Sequence, residues 1–198
     1  ARPLTPTIRE LTFQRVDSDA FPFFRAGQYV SLQMKIGDSV VSRPYSIVST
    51  PRQALENKLV LAVENAGFVS EYLNKSAKVG DRFVMTEPSG EFHYETLRDS
   101  KDIICIAGGS SITPFLSMAG SMADGDESYS MLLFYGARTA AQLAYKAELD
   151  ALAERCKGLK VVYVLSDEEQ PGCEKGFVSA QLMKKYTDLT DHTFFLCG

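Results

Sequence analysis

Several short stretches of this sequence hold residue types that can do chemistry together. In "SRPYSIV" the two-residue period of a β-strand puts Arg43 and Tyr45 on one face, with Pro44 between them. Pro44 offers no ladder donor, which favours an edge or barrel-opening position. A guanidinium beside an aromatic plane can hold a phosphate with one group and pack a flat ring with the other. The alternative is a solvated arginine on an exposed edge strand. In "GFVSEYL", Gly67 precedes a helix expected to begin near Ser70. In "IICIAGGSSITPFLSM" an apolar strand meets the pair Gly108 and Gly109, then a helix with Thr113 as its cap and Pro114 at its first position. A glycine turn ahead of a helix aims backbone N–H groups and the positive end of the helix dipole at one point, which suits a phosphate or pyrophosphate. The pattern is not GxGxxG, so the common dinucleotide fingerprint is absent, and a tight turn without a ligand is the alternative. Two phosphate-type sites in differently built halves of the chain point to two nucleotide cofactors.

The elements that must position these residues follow two rhythms. From the N-terminus to Leu97, apolar and polar residues alternate, as in "GQYVSLQMKI" and "NKLVLAVEN", with turn signals at Gly27, Gly37-Asp38, Gly80-Asp81 and Ser89-Gly90. This pattern predicts an antiparallel Greek-key β-barrel over 1–97. From 98 to 198, buried apolar runs such as "DIICIA", "SMLLFYG" and "LKVVYVLS" alternate with helical stretches, the signature of an α/β parallel sheet. The longest predicted helix spans "TAAQLAYKAELDALAERC", opened by a capping box from Thr139 to Gln142. The change of domain is expected between Leu97 and Asp102.

Composition narrows the function classes. The chain has 198 residues, 45% hydrophobic and 23% charged, with a formal net charge of −4 and scattered Lys and Arg. It lacks the basic stripe that nucleic-acid binding requires. No apolar run is long enough to span a bilayer and "ARPLTPTIRE" has no signal-peptide core, so a cytoplasmic protein with no membrane segment is expected. Cys105, Cys156, Cys173 and Cys197 form no CxxC-type pair, so no metal site is expected within the chain. Cys105 and Cys156 sit in apolar settings, as small buried hydrophobes do. His93 and His192 lack any partner spacing and are expected on the surface or in strands.

Taken in order, "RPYS", "GFVSEYL", "EPSGEF", "AGGSSITP", "FYGAR" and the terminal "FFLCG" resemble the ferredoxin–NADP reductase superfamily. The resemblance is nearest to reductase components that feed an iron–sulfur, ferredoxin-type domain. It implies a barrel flavin domain followed by an α/β nicotinamide domain. On it, Arg43 pairs with the FAD pyrophosphate, Tyr45 packs on the isoalloxazine, and the Ser46 hydroxyl lies near flavin N5. Strict alternation turns Ser46 away from Arg43 and Tyr45, so a twist or bulge is expected after Pro44. Gly67, Val69 and Ser70 would offer backbone and hydroxyl donors to the flavin phosphates. Gly108, Gly109, Thr113 and Pro114 would line the nicotinamide groove, with the Cys197 thiol and Gly198 beside the nicotinamide.

The resemblance further places Arg138 where a 2′-phosphate would bind, while Asp167, Glu168 and Glu169 in "LSDEEQ" would repel one, which favours NADH over NADPH. Ser111 replaces a customary glycine and keeps a pyrophosphate farther from the backbone. The customary proline and helix after "CG" are missing, so the second domain is expected to be truncated at its C-terminal end, with a [2Fe–2S] domain outside the chain. The implied function is hydride transfer from NAD(P)H to FAD and then single-electron transfer to an iron–sulfur or ferredoxin-type acceptor. The alternative is a flavin-bearing relay subunit of a larger complex that does not itself oxidise NAD(P)H.

Overall fold

The alternating first half folds as two three-stranded antiparallel sheets in a computed structural model, which describes residues 1–198 apart from the side chain of Ile36. Its elements are β1 (Arg2–Pro3), β2 (Ile8–Phe13), β3 (Tyr29–Ile36), β4 (Ser39–Ser46), α1 (Pro51–Leu55), β5 (Leu59–Glu64), α2 (Phe68–Lys75) and β6 (Val84–Met85). One sheet has the order β1-β2-β5 and the other β4-β3-β6, and a bridge between Ile47 and Leu61 joins them into a barrel. Inward residues of both sheets fill it: Val30, Ile47, Leu59 and Leu61 pack with Phe21 and Phe24, and Leu11, Leu32 and Val63 pack with Val69 and Leu73 of α2. The short α1 owes its start to a capping box between Thr50 and Gln53, with Pro51 at its first position.

The second half contains β7 (Asp102–Gly108), α3 (Thr113–Ala123), β8 (Ser130–Ala137), α4 (Lys146–Arg155), β9 (Leu159–Leu165), β10 (Cys173–Lys175), α5 (Ala180–Met183) and β11 (Thr193–Cys197). Its five strands are all parallel in the order β10-β9-β8-β7-β11. Such a sheet must bury both faces. Ile104, Phe134, Val162 and Val164 meet Leu182 and Met183 on one side. On the other, Ile103, Cys105, Leu133 and Tyr135 pack with Phe115 and Met118 of α3 in a core that continues into the barrel through Ile8, Ala26, Val48, Val60 and Ala62.

The seam between the halves is therefore packed like an interior. Ser117 donates from α3 to the carbonyl of Ser49 at 2.7 Å, both residues being buried. Gly120 comes so close to the barrel that a β-carbon there would lie 2.5 Å from Thr50 Cγ2. Ion pairs Arg52–Asp126 at 2.6 Å and Arg2–Glu148 at 2.5 Å close its edges.

Three local expectations are corrected. The helix predicted from Thr139 begins only at Lys146: residues Ala140–Gln142 form a 3-10 turn, and Tyr145 sits at φ +59°. The Thr139 side chain caps nothing; the Glu168 carboxylate, from another loop, accepts the Ala140 N–H at 2.6 Å. Thr113 is the first helical residue of α3 and not its cap, because a 3-10 turn over Gly109–Ile112 runs straight into the helix and takes up the Thr113 N–H at Ser110 O. His93 is buried, with Nδ1 3.3 Å from the Gly90 carbonyl, where a surface or strand position is expected.

Candidate functional site

Parallel strands deliver their C-terminal ends to one edge of a sheet, and ligands bind there. Here that edge and the barrel enclose a cleft of about 740 Å³. Gly108, Gly109, Arg138, Cys197 and Gly198, all expected from sequence, line it together. Thr113 and Pro114 do not, being buried in the first turn of α3. Gly109 holds φ +55°, a left-handed conformation that suits glycine, and its carbonyl accepts the buried Tyr135 hydroxyl at 3.0 Å. Burial pushes the Tyr135 phenol well above its ordinary range, so it remains a donor. A β-carbon at Gly108 or Gly109 would meet nothing within 4 Å, so the loop is an open cradle of the kind that diphosphate binding needs.

At one end of the cleft Arg138 Nε donates to Asp167 Oδ2 at 2.8 Å, and the Ser166 hydroxyl donates to Asp167 Oδ1 at 2.6 Å. The Ser166 and Arg138 hydrogen bonds hold the Asp167 carboxyl below its ordinary range. The acidic loop thus binds Arg138 and caps the turn beside it. Several lining residues have no motif in the sequence, Phe177 and Glu64 among them. Phe177 is 81% exposed on the wall, and its only signal is an aromatic after Gly176. Glu64 ends β5 in the cleft and accepts the Ser110 hydroxyl at 2.6 Å; its signal is a lone charge closing the apolar run "LVLAVE".

The barrel carries a second cluster, apart from the cleft. Arg43 and Tyr45 oppose Leu32 and Val30 across an unbroken ladder, so they share a face, as expected. Arg43 is exposed, donates to the Ser42 carbonyl at 2.8 Å and, among the described residues, pairs with no carboxylate. Tyr45 is half-buried, and burial pushes its phenol up. Ser46 opposes Tyr29 in the same regular register, so of the twist or bulge expected after Pro44 the bulge does not occur. Within the strand, Ser46 and Tyr45 do not present a common surface; the chain changes sheet just beyond, at Ile47.

The loop before α2 also differs from expectation. The Ser70 hydroxyl accepts the N–H groups of Ala66 and Gly67, each at 2.9 Å, and donates to the Gly67 carbonyl at 2.8 Å. The Gly67 N–H and the Ser70 hydroxyl, both expected as ligand donors, are thereby consumed in closing the loop. The first helical bond is Glu71 N–H to Gly67 O, which leaves the N–H groups of Phe68, Val69 and Ser70 unpaired among the described residues. Unpaired N–H groups at a helix start fit an anion of the pyrophosphate type, and Tyr45, two residues beyond Arg43 on β4, packs against the cluster that holds Val69.

Among the described residues no cluster of His, Cys, Asp and Glu could hold a metal ion, and no helix is long and apolar enough to cross a membrane. Cys105 is fully buried, and burial raises its thiol well above the ordinary range.

Comparison with known proteins gives both halves a family. Residues 4–94 match the oxidoreductase FAD-binding domain and residues 105–198 the oxidoreductase NAD-binding domain. The chain is 30% identical over 204 residues to the reductase component of propane 2-monooxygenase from Mycolicibacterium smegmatis, covering 99% of this chain and 57% of that protein. It is 29% identical over 204 residues to ferredoxin–NADP reductase B from Sorangium cellulosum, covering 100% of this chain and 82% of that protein. Among solved structures, a cytochrome P450 reductase from Amycolatopsis superposes with a TM-score of 0.83 at 26% identity, covering 98% of this chain and 58% of that one. The chain thus spans little more than half of the propane 2-monooxygenase reductase and of the P450 reductase. With an FAD-binding and an NAD-binding oxidoreductase domain in this order, carried by an antiparallel barrel and a five-stranded parallel sheet, the chain belongs to the ferredoxin–NADP reductase superfamily.

Proposed function

We propose that this chain is a flavoprotein reductase that takes hydride from NADH onto FAD and passes single electrons to an iron–sulfur or ferredoxin-type acceptor protein. The observation that carries the reading is the pairing of an anion-type cluster on the barrel, built from Arg43 and the N–H groups of α2, with a glycine-floored cleft at the strand ends of the parallel sheet. The reductase component of propane 2-monooxygenase, among the relatives, supports transfer to a partner protein, and ferredoxin–NADP reductase B supports a ferredoxin-type one. Bound flavin supplies the conversion between two-electron and one-electron transfer.

The protein's residues bind, orient and exclude water. Arg43 and the first turn of α2 hold the flavin pyrophosphate, and Tyr45 packs on the ring. Gly108 and Gly109 let the nicotinamide nucleotide's diphosphate approach the backbone, Phe177 offers a plane for a base, and Cys197 and Gly198 border the reacting end. Ser46 stands at the strand's exit toward the second sheet. Hydride transfer needs no protein acid or base, so positioning carries the catalysis. The donor is NADH, because Arg138, the cation placed for a 2′-phosphate, is already paired with Asp167. The change of domain lies at 97/98, in the irregular segment between β6 and β7.

The test is spectroscopic. Purified protein is expected to take up FAD on titration with a flavin absorption band, and anaerobic NADH is expected to bleach that band faster than NADPH. A protein that takes up no FAD would refute the reading. A flavin that stays oxidised under excess NADH, yet is reduced by a partner protein, would make the chain a relay subunit.

A further inference from the structure

Glu64 closes β5 and stands in the wall of the cleft beside Gly108 and Gly109. Its Oε2 accepts the hydroxyl of Ser110, the residue after the left-handed Gly109, at 2.6 Å. That neutral hydroxyl is its hydrogen-bond partner in the structure; no lysine, arginine or histidine forms an ion pair with it among the described residues. A negative charge thus lies across the loop whose open side is shaped for an anion.

We infer that Glu64 is an electrostatic gate on the diphosphate of the incoming nucleotide, which enters by displacing the carboxylate from Ser110. The inference rests on the reading of the cleft as the nicotinamide nucleotide site. The competing role is a strut between barrel and sheet. The seam does not depend on this contact, however. Ser117 bonds Ser49 in the buried interior, Arg52 pairs with Asp126, and Arg2 pairs with Glu148. Glu64 is exposed, and one hydrogen bond there adds little to a packed interface. Its charge acts at short range on any phosphate that reaches the glycine loop.

The test is calorimetric titration of the full flavin-loaded chain with NAD+, at low and high salt. Glu64→Gln keeps the shape and an acceptor for Ser110 but drops the charge, and is expected to bind NAD+ about 5- to 10-fold more tightly at low salt. The gain is expected to fade near about 1 M salt, where charges are screened within about 3 Å. Ser110→Ala removes the bond that must be displaced but leaves the charge, and is expected to tighten binding by less than Glu64→Gln does. Adenosine, which has no phosphate, is expected to distinguish none of the three proteins. Unchanged or weaker NAD+ binding by Glu64→Gln would overturn the gate and make Glu64 a strut. Wild-type protein that binds no NAD+ at all would instead remove the nucleotide reading of the cleft.

Discussion

Arg43 and Arg138 show how the same side chain is set two different tasks by its surroundings. Arg43 is exposed and spends one N–H on the Ser42 carbonyl, so its remaining donors are available to a ligand. A charge-assisted bond to a phosphate is worth about 1.5–3 kcal/mol, so Arg43→Ala is expected to weaken FAD binding about 10- to 100-fold in a fluorescence titration. Arg43→Lys is expected to recover only part of that loss, because an ammonium lacks the planar fork. Arg138 is instead tied to Asp167. Asp167→Asn keeps a neighbour of the same shape and removes the charge that pairs with Arg138 and repels a 2′-phosphate. The ratio of kcat/KM for NADPH to that for NADH is expected to rise by about tenfold, roughly the effect of one charge contact at the cleft rim. An unchanged ratio would mean that Arg138 does not face the 2′-position.

At the scale of elements, α3 is the piece on which the halves meet, and at Gly120 it runs close against Thr50. Gly120→Ala gains helix propensity but drives a methyl to 2.5 Å from Thr50 Cγ2, so the seam must open. The expected result is a net loss of about 1–3 kcal/mol in urea unfolding, the usual cost of overpacking a filled core. An unchanged midpoint would mean that Thr50 can turn aside. The elements themselves were largely legible in the sequence. The period-two runs became β3 and β5, the apolar runs became the parallel strands, and Arg43 and Tyr45 do share a face. What escaped was set by partners distant in sequence. The onset of α4 moved because Glu168 binds the Ala140 N–H from another loop. The Ser70 hydroxyl was lost to Ala66 and Gly67 because the loop before α2 folds back on itself. Glu64 reads locally as a solvated charge at the end of a strand, and only the meeting of barrel and sheet brings it to Ser110.

At the scale of the whole molecule, the linker and the seam carry carboxyl groups whose environments oppose one another. Asp99 has a side chain only 3% exposed; it is gripped by Arg98 at 2.8 Å and accepts the Glu95 N–H at 2.8 Å. Those bonds, Arg98 foremost, hold it below the ordinary carboxylate range against the effect of burial. Glu127, beside a second hollow of about 540 Å³ on the seam, is pushed up, chiefly by burial and further by Asp126, with Arg25 opposing. The two signs differ. The stability supplied by Asp99 is complete above its unfolded value of about 3.9 and is lost as the pH falls through its lower folded value. Glu127 keeps its proton longer in the folded chain, so its ionisation near neutrality costs stability, and acid relieves that cost as the pH falls through its raised folded value. The melting temperature, followed by circular dichroism, is therefore expected to rise slightly as the pH falls from neutrality toward the ordinary glutamate value of about 4.3, and to fall below the ordinary aspartate value of about 3.9. Glu127→Gln is expected to raise the neutral melting temperature by roughly 1–3 °C and to flatten the rise while keeping the acid fall. Asp99→Asn is expected to lower the neutral melting temperature and soften the acid fall. If Glu127→Gln left the rise intact, the seam's acid response would have to come from another carboxyl group.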